Sequence, residues 1–342
     1  EYADRDIDSP GEPGVSYIAG TGFFAMPEEN SPQAKELEKY SQKAAERNDA
    51  LIERINRHVP EIAIKPSEVS AITPAGNATE RHMVMAYIKK AFGVFPENEL
   101  VRYWSKVLEI DTARIEKLIF SGHKFEDTIR KKFAKKGGFG YVQPSSETFP
   151  PVKEFFKFVK SCGAIPMESW LDGTSEGEKD PQALLELSKS KGAVALNLIP
   201  DRNWNIDDPG EKVIKVNNLK KIIDTAERMD MPIHIGTEMN KKGLPFADDL
   251  DGPDLNPFKE NILHGAKVIL GHTILGRFAG FSYISSEAEA EFPDLKKRNA
   301  FFASVGKLPA VDTEIAGTLR DADVEKAFSV ICDSVKKKKW IV

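Results

Sequence analysis

From Ser31 to His58 apolar residues recur at helical spacing. Leu37, Tyr40, Ala44, Leu51, Ile52 and Ile55 form one stripe, and the segment "KAAERND" supplies a charged outer face. Ser31 suits the cap of this helix and Pro32 its first turn. A second helix is expected to start near Thr79 in "NATERHMVMAYIKKAFG" and to end at Gly93, a C-cap glycine. The stretch Pro96–Lys136 reads as helical throughout, in two or three pieces, up to the break at Gly137-Gly138.

Beyond that break the pattern alternates. "FGYVQ" precedes the helix "PVKEFFKFVKS", and "AIPMES" precedes "PQALLELSKSK". "AVALNLIP" precedes a helix around Val216–Met229, after which come "PIHIG" and "KVILG", the latter trailed by helices to the end. Strands apolar on both faces, each followed by a helix, predict a parallel sheet covered by helices. No G-x-G-x-x-G or G-x-x-x-x-G-K-[ST] element opens these helices, which argues against a dinucleotide or P-loop site. The expectation is one α/β domain over residues 1–342, a (β/α) barrel of TIM-like type with residues 96–136 as a helical insertion.

Active sites of parallel α/β folds collect at the carboxyl ends of strands. "AIPM" runs into Glu168, Ser169 and Trp170; "AVALNLIP" into Asp201, Arg202 and Asn203; "PIHIG" into Thr237, Glu238 and Asn240; and "KVILG" into His272. In a barrel these groups would face one another across its mouth. Glu168, Asp201 and His272 are then candidate acids or bases, and Arg81, Arg202, Asn203 and Lys241 candidate contacts to substrate. His234 lies inside a strand, with a satisfied core histidine as the competing reading. In "TPAGNATERH" a Thr79 cap brings Glu80, Arg81 and His82 into the first turn of a helix, a setting suited to anions or to simple capping. His58 and His123 read as surface residues, and His264 as a helix C-terminal cation.

With 342 residues, 41% of them hydrophobic, the chain can bury a large core. Its net charge of −5, with acids and bases mixed, argues against a general nucleic-acid binder. The run Lys336–Lys339 reads as a solvated helix end. Cys162 and Cys332 form no metal or disulfide pattern, which favours a reducing, cytoplasmic compartment. No apolar stretch is long enough for a bilayer span, so no membrane partner is expected.

The order of motifs resembles the PHP (polymerase and histidinol phosphatase) phosphoesterases. "GVSYIAGTGFF" resembles the family strand V-H-hydrophobic-L-G-Y, "AAERNDALIERIN" its following helix, and "ATERHMVMAYIKKAF" its G-R-P-H-I-A-R-A-L-V segment. "GYVQPSSETFPPVKEFFKFVKSCGAIPMESW" resembles the stretch that ends in H-P, where this chain has Trp170-Leu171. "IGTEMN" stands where the family has G-S-D-x-H, so Glu238 matches the aspartate and Asn240 the final histidine. The resemblance covers most of Val15–Gly243, and it places the family's H-x-H and metal-binding glutamate upstream of Glu1. It implies a divalent ion (Zn, Mn or Fe) held by His82, His234, Glu238 and Asn240, and hydrolysis of a phosphoester or related small anionic substrate by metal-activated water. The altered ligands leave a second expectation, a non-catalytic or remodelled binding protein on a degenerate PHP-like barrel. A homo-oligomer is left open by the sequence.

Overall fold

The computed structural model describes residues 14–74, 76–145, 147–239 and 244–342. The chain divides into two compact units, one made of Glu1–Gln33 with Pro151–Val342, the other of Ala34–Pro150.

Among the described residues of the Ala34–Pro150 unit every regular element is helical. The amphipathic stripe forms α1 (Pro32–His58), whose Leu51, Ile52 and Ile55 are buried. After α2 (Pro66–Ser70) comes α3 (Glu80–Val94), and the stretch expected to be helical resolves into α4 (Glu97–Leu108), α5 (Thr112–Ile119) and α6 (His123–Ala134). α3 runs through Gly93 to Val94, with Phe95 rather than the glycine as its C-cap. Trp104 anchors this core, edge-on to Phe125 with ring centroids 5.4 Å apart. The Tyr87 hydroxyl reaches the core edge and donates to Asn56 Oδ1 at 2.8 Å.

The other unit holds a four-stranded open sheet in the order β1 (Ile18–Thr21), β2 (Ile165–Trp170), β3 (Ala195–Leu198) and β4 (Ile233–Ile235). β1 runs antiparallel to β2, while β2, β3 and β4 are parallel. Alternation along the strands splits the apolar residues between two faces. Trp170, Leu196, Leu198 and Ile233 pack with α7 (Val152–Ser161), α8 (Pro181–Lys191) and α10 (Pro209–Arg228). Ile165, Met167 and Ala195 pack with α11 (Lys259–Ala279), α13 (Leu295–Val305) and α15 (Val324–Lys337). Aspartates start many of the helices. Asp180 and Asp208, for example, accept from the backbone N–H of Ala183 and Glu211 at 3.0 and 2.7 Å.

The (β/α) barrel is therefore overturned: the sheet is small, mixed and open, with helices on both faces. Two expected strands do not form. "FGYVQ" lies in turns and irregular chain, and "KVILG" lies inside α11. Glycines explain the second error. Gly271 looked like a strand end, but Gly265 and Gly271 are buried helix positions where backbone approaches backbone. A Cβ on Gly265 would stand 1.9 Å from the Ile233 carbonyl oxygen, and one on Gly271 1.9 Å from that of Phe302. Glycine in a helix costs about 1 kcal/mol relative to alanine. Here it lets α11 lie directly against β4 and α13, covering sheet where a fifth strand was expected.

Candidate functional site

The carboxyl ends of β2, β3 and β4 converge. β3 leads into the short helix α9 (Asp201–Trp204). From α9 the Asn203 amide donates to the Leu171 carbonyl beyond β2 at 2.9 Å, and Arg202 Nη1 donates to Glu238 Oε1 beyond β4 at 3.0 Å. Arg202 and Asn203, expected as substrate contacts, and Glu238, expected as a metal ligand, are thus brought together.

A row of polar side chains crosses the sheet beside them. Ser169, Asn197 and His234 are paired in register on the face that carries Met167 and Ala195. Asn197 Nδ2 donates to Ser169 Oγ at 3.1 Å, and Asn197 Oδ1 lies 2.8 Å from His234 Nδ1. With the amide so placed, His234 carries its proton on Nδ1 and leaves Nε2 as an acceptor. Among the described residues Nε2 has no hydrogen-bond partner. Burial lowers the imidazole pKa below its ordinary value, which favours the neutral ring.

Buried polar groups without a partner mark the same edge. Among the described residues of this unit the orphaned side-chain atoms are Trp170 Nε1, Ser175 Oγ, Arg202 Nε and Asn203 Oδ1. All four belong to β2, α9 or the loop after β2. Such atoms are costly inside a fold and gather where a ligand or ordered water completes the site.

Other expected residues lie elsewhere or serve the fold. Glu168 faces away from His234: alternation turns it to the opposite side of the sheet, where its carboxylate accepts from Ser188 at 2.6 Å and from the Ser16 hydroxyl. His272 does not follow a strand. It is fully buried within α11, with Nδ1 accepting from the Tyr283 N–H at 3.1 Å and Nε2 at 3.1 Å from the Gly22 carbonyl. Asp201 opens α9 and accepts from Asn205 at 2.9 Å. Arg81 and His82 belong to the other unit. Arg81 pairs with Asp127 at 3.2 Å, and His82 Nδ1 accepts from the Thr79 N–H at 3.1 Å, closing the N-terminus of α3. Asn240 and Lys241 lie outside the described residues.

Several residues escaped the sequence reading. Asn197 sits within β3, and only the register makes it a neighbour of His234 and of Ser169, which the sequence placed at a strand end. Glu178 accepts from the backbone N–H groups of Leu171, Asp172 and Gly173 at 2.9, 3.2 and 2.9 Å, so it pins the loop after β2. Lys215 bridges Asp172 and Glu211 at 3.2 and 2.8 Å. Burial alone would raise the Asp172 carboxyl, but Thr174 and the Lys215 ammonium outweigh it and hold the pKa down. Asp248 accepts from the Trp204 indole N–H at 2.5 Å. Burial, aided by Asp201 nearby, raises its carboxyl above the usual range. The one sequence signal for this group was the acid-rich loop "FADDLDGPDL" after β4.

The donors for a divalent ion are incomplete here. His234 offers Nε2, but Glu238 is engaged by Arg202, and among the described residues no three His, Cys, Asp or Glu side chains cluster as a metal site would require. The described residues alone therefore do not fit the ion that the family resemblance implies. No helix among them is long and apolar enough to cross a membrane. Cys162 and Cys332 are free thiols. No protein-family model matches the chain, and no match emerges among curated proteins or solved structures.

Proposed function

We propose that the protein is an enzyme that binds a small anionic substrate at the carboxyl edge of β2, β3 and β4 and hydrolyses it with a water activated by His234. The observation that carries this reading is an oriented, neutral imidazole on β4 at the sheet edge where α9 leaves Arg202 Nε and Asn203 Oδ1 buried without a partner. Asn197 fixes the ring, and its own amide is fixed by Ser169. Nε2 takes a proton from water, the water oxygen bonds to the phosphorus or carbonyl carbon, and the leaving oxygen takes a proton from solvent. Arg202 supplies charge for the substrate anion once Glu238 yields it.

Inorganic phosphate titrated into labelled protein should move the resonances of Arg202, Asn197 and His234. A small phosphomonoester such as p-nitrophenyl phosphate should be turned over, with a rate that rises with pH through a value below the ordinary imidazole pKa and then levels off. His234→Gln should lower that rate by about a hundredfold or more. Phosphate that leaves all three residues unmoved refutes the reading. Binding without turnover of any ester leaves a binding protein instead.

A second reading retains a divalent ion, Zn, Mn or Fe, as the activator. It is favoured by His234 within β4 and Glu238 in the loop after it, the latter two residues before Asn240. Metal content after incubation with manganese or zinc decides it. Protein that retains none excludes this reading, and unchanged content in Glu238→Gln removes that residue from the ligand set.

A further inference from the structure

A second candidate site lies on the outer side of α11. The helix α14 (Thr313–Asp321) and the residues leading into it lie beside α11, and between them is an open groove of about 500 Å³. That volume falls within the range of small-molecule pockets, roughly 300–1,000 Å³. Leu270, Thr273, Ile274 and Arg277 line it from α11, spaced i, i+3, i+4 and i+7, so they form a single helical stripe. Leu270 is 46% exposed, so the apolar surface of that stripe continues to solvent.

The groove is chemically two-sided. Ile274, Phe278, Val311 and Ala316 make an apolar floor, while Arg277 and Arg320 bring two guanidinium groups. Some arginines elsewhere in the chain, among them Arg57, Arg81, Arg130, Arg202 and Arg298, meet a carboxylate. Among the described residues Arg277 and Arg320 meet none, and Arg277 has only the Phe278 ring, 5.7 Å away. One carboxylate also lines the groove, that of Asp312, which accepts from the Ile315 N–H at 2.9 Å and caps α14. Two arginines outside any ion pair, set against a single carboxylate and an apolar floor, match an anion with an apolar body.

Length narrows the class. The lining runs from Leu270 to Phe278 on α11 and from Thr313 to Arg320 on α14. At 1.5 Å per residue each wall is about 10–12 Å long. An extended alkyl chain advances roughly 1.3 Å per C–C bond, so about eight to ten carbons span it. A protein partner would need about 800 Å² of contact on this side, far more than a groove this short presents.

We propose that the α11–α14 groove binds a medium-length alkyl carboxylate, its chain on Ile274, Phe278, Val311 and Ala316 and its headgroup on Arg277 and Arg320. Calorimetric titration of the whole chain with octanoate, and with octanol as the uncharged match, tests this. Octanoate should bind at one site, at least about tenfold more tightly than octanol, the factor expected for a charge-assisted hydrogen bond. Arg277→Gln with Arg320→Gln should erase that preference, and Ala316→Trp should block both ligands. Both arginines are exposed, so the double variant should keep its far-ultraviolet spectrum and serve as a folded control. Equal affinity for octanol, binding indifferent to these substitutions, or capture of an acidic helical peptide by a groove that ignores octanoate would overturn the proposal.

Discussion

Acid should loosen the α11 side of the sheet-bearing unit through His272. Its ring is fully buried, with Nδ1 accepting from the Tyr283 N–H and Nε2 donating to the Gly22 carbonyl. A second proton would have to enter at Nδ1, against an N–H already pointing there. Burial therefore prevails over the carbonyls of Gly22 and Gly163 and lowers the pKa from 6.5 to about 4. A lowered imidazole pKa means that the unfolded chain binds the proton more readily than the fold does. The stabilisation is complete above 6.5 and is lost as pH falls from 6.5 toward 4. Between pH 7.5 and 4.5 the loss comes to about 2.5 kcal/mol. Urea unfolding of the native chain and of His272→Gln at both pH values isolates this, because other titrations occur in both proteins. At pH 7.5 the variant should be less stable by about 1–3 kcal/mol, the cost of imperfectly replaced buried hydrogen bonds. At pH 4.5 the gap should shrink by about 2.5 kcal/mol. A gap that is constant with pH refutes the assignment of a neutral, doubly bonded ring.

Three further substitutions probe other links. Gly265→Ala places a Cβ 1.9 Å from the Ile233 carbonyl oxygen; it should cost about 3 kcal/mol or more, read from the denaturation midpoint. Glu178→Ala strands three backbone N–H donors and should cost about 3 kcal/mol. Amide exchange at Leu171, Asp172 and Gly173 should accelerate with it, while Glu178→Gln, with a single acceptor oxygen and an NH2 group facing the remaining N–H donors, recovers only part of the loss. Asn197→Ala frees the His234 ring and should lower ester turnover by about tenfold or more with little change in the thermal midpoint; unchanged turnover would remove Asn197 as the residue that positions the ring.

Periodicity carried the local structure well. α1, α3 and the three helices α4, α5 and α6 form where their apolar stripes lie, and β2, β3 and β4 form in the apolar runs. Closure of the sheet was not legible, because strands apolar on both faces suit an open sheet between helix layers as well as a barrel. "KVILG" failed for a related reason: a short apolar run does not distinguish a strand from a buried helix segment. What decides it is Gly265, Gly271 and Gly306, the last of which would place a Cβ 2.0 Å from the Lys267 carbonyl oxygen. Those contacts lie far apart in sequence. The site was legible at its edge, where Arg202, Asn203 and Glu238 meet, and not in its interior. Glu168 and Ser169 are adjacent in sequence but on opposite faces, and only strand register assigns Ser169 to Asn197 and His234.

A buried polar group that holds a fold together differs from one available for chemistry in how fully it is satisfied. Glu168 has a serine hydroxyl on each carboxylate oxygen, and His272 has a backbone partner at each ring nitrogen. Moving either would break bonds that nothing else replaces, so each stays where it is. His234 is held at one nitrogen only, Asn203 uses its amide nitrogen and leaves Oδ1 unmatched, and Arg202 binds Glu238 through one nitrogen while Nε is left over. These residues are positioned by one set of atoms and present another. Polar identity alone put both groups in the same candidate set. Satisfaction separates them, leaving the proposed chemistry to the carboxyl ends of β3 and β4 and assigning Glu168 and His272 to the stability of the unit.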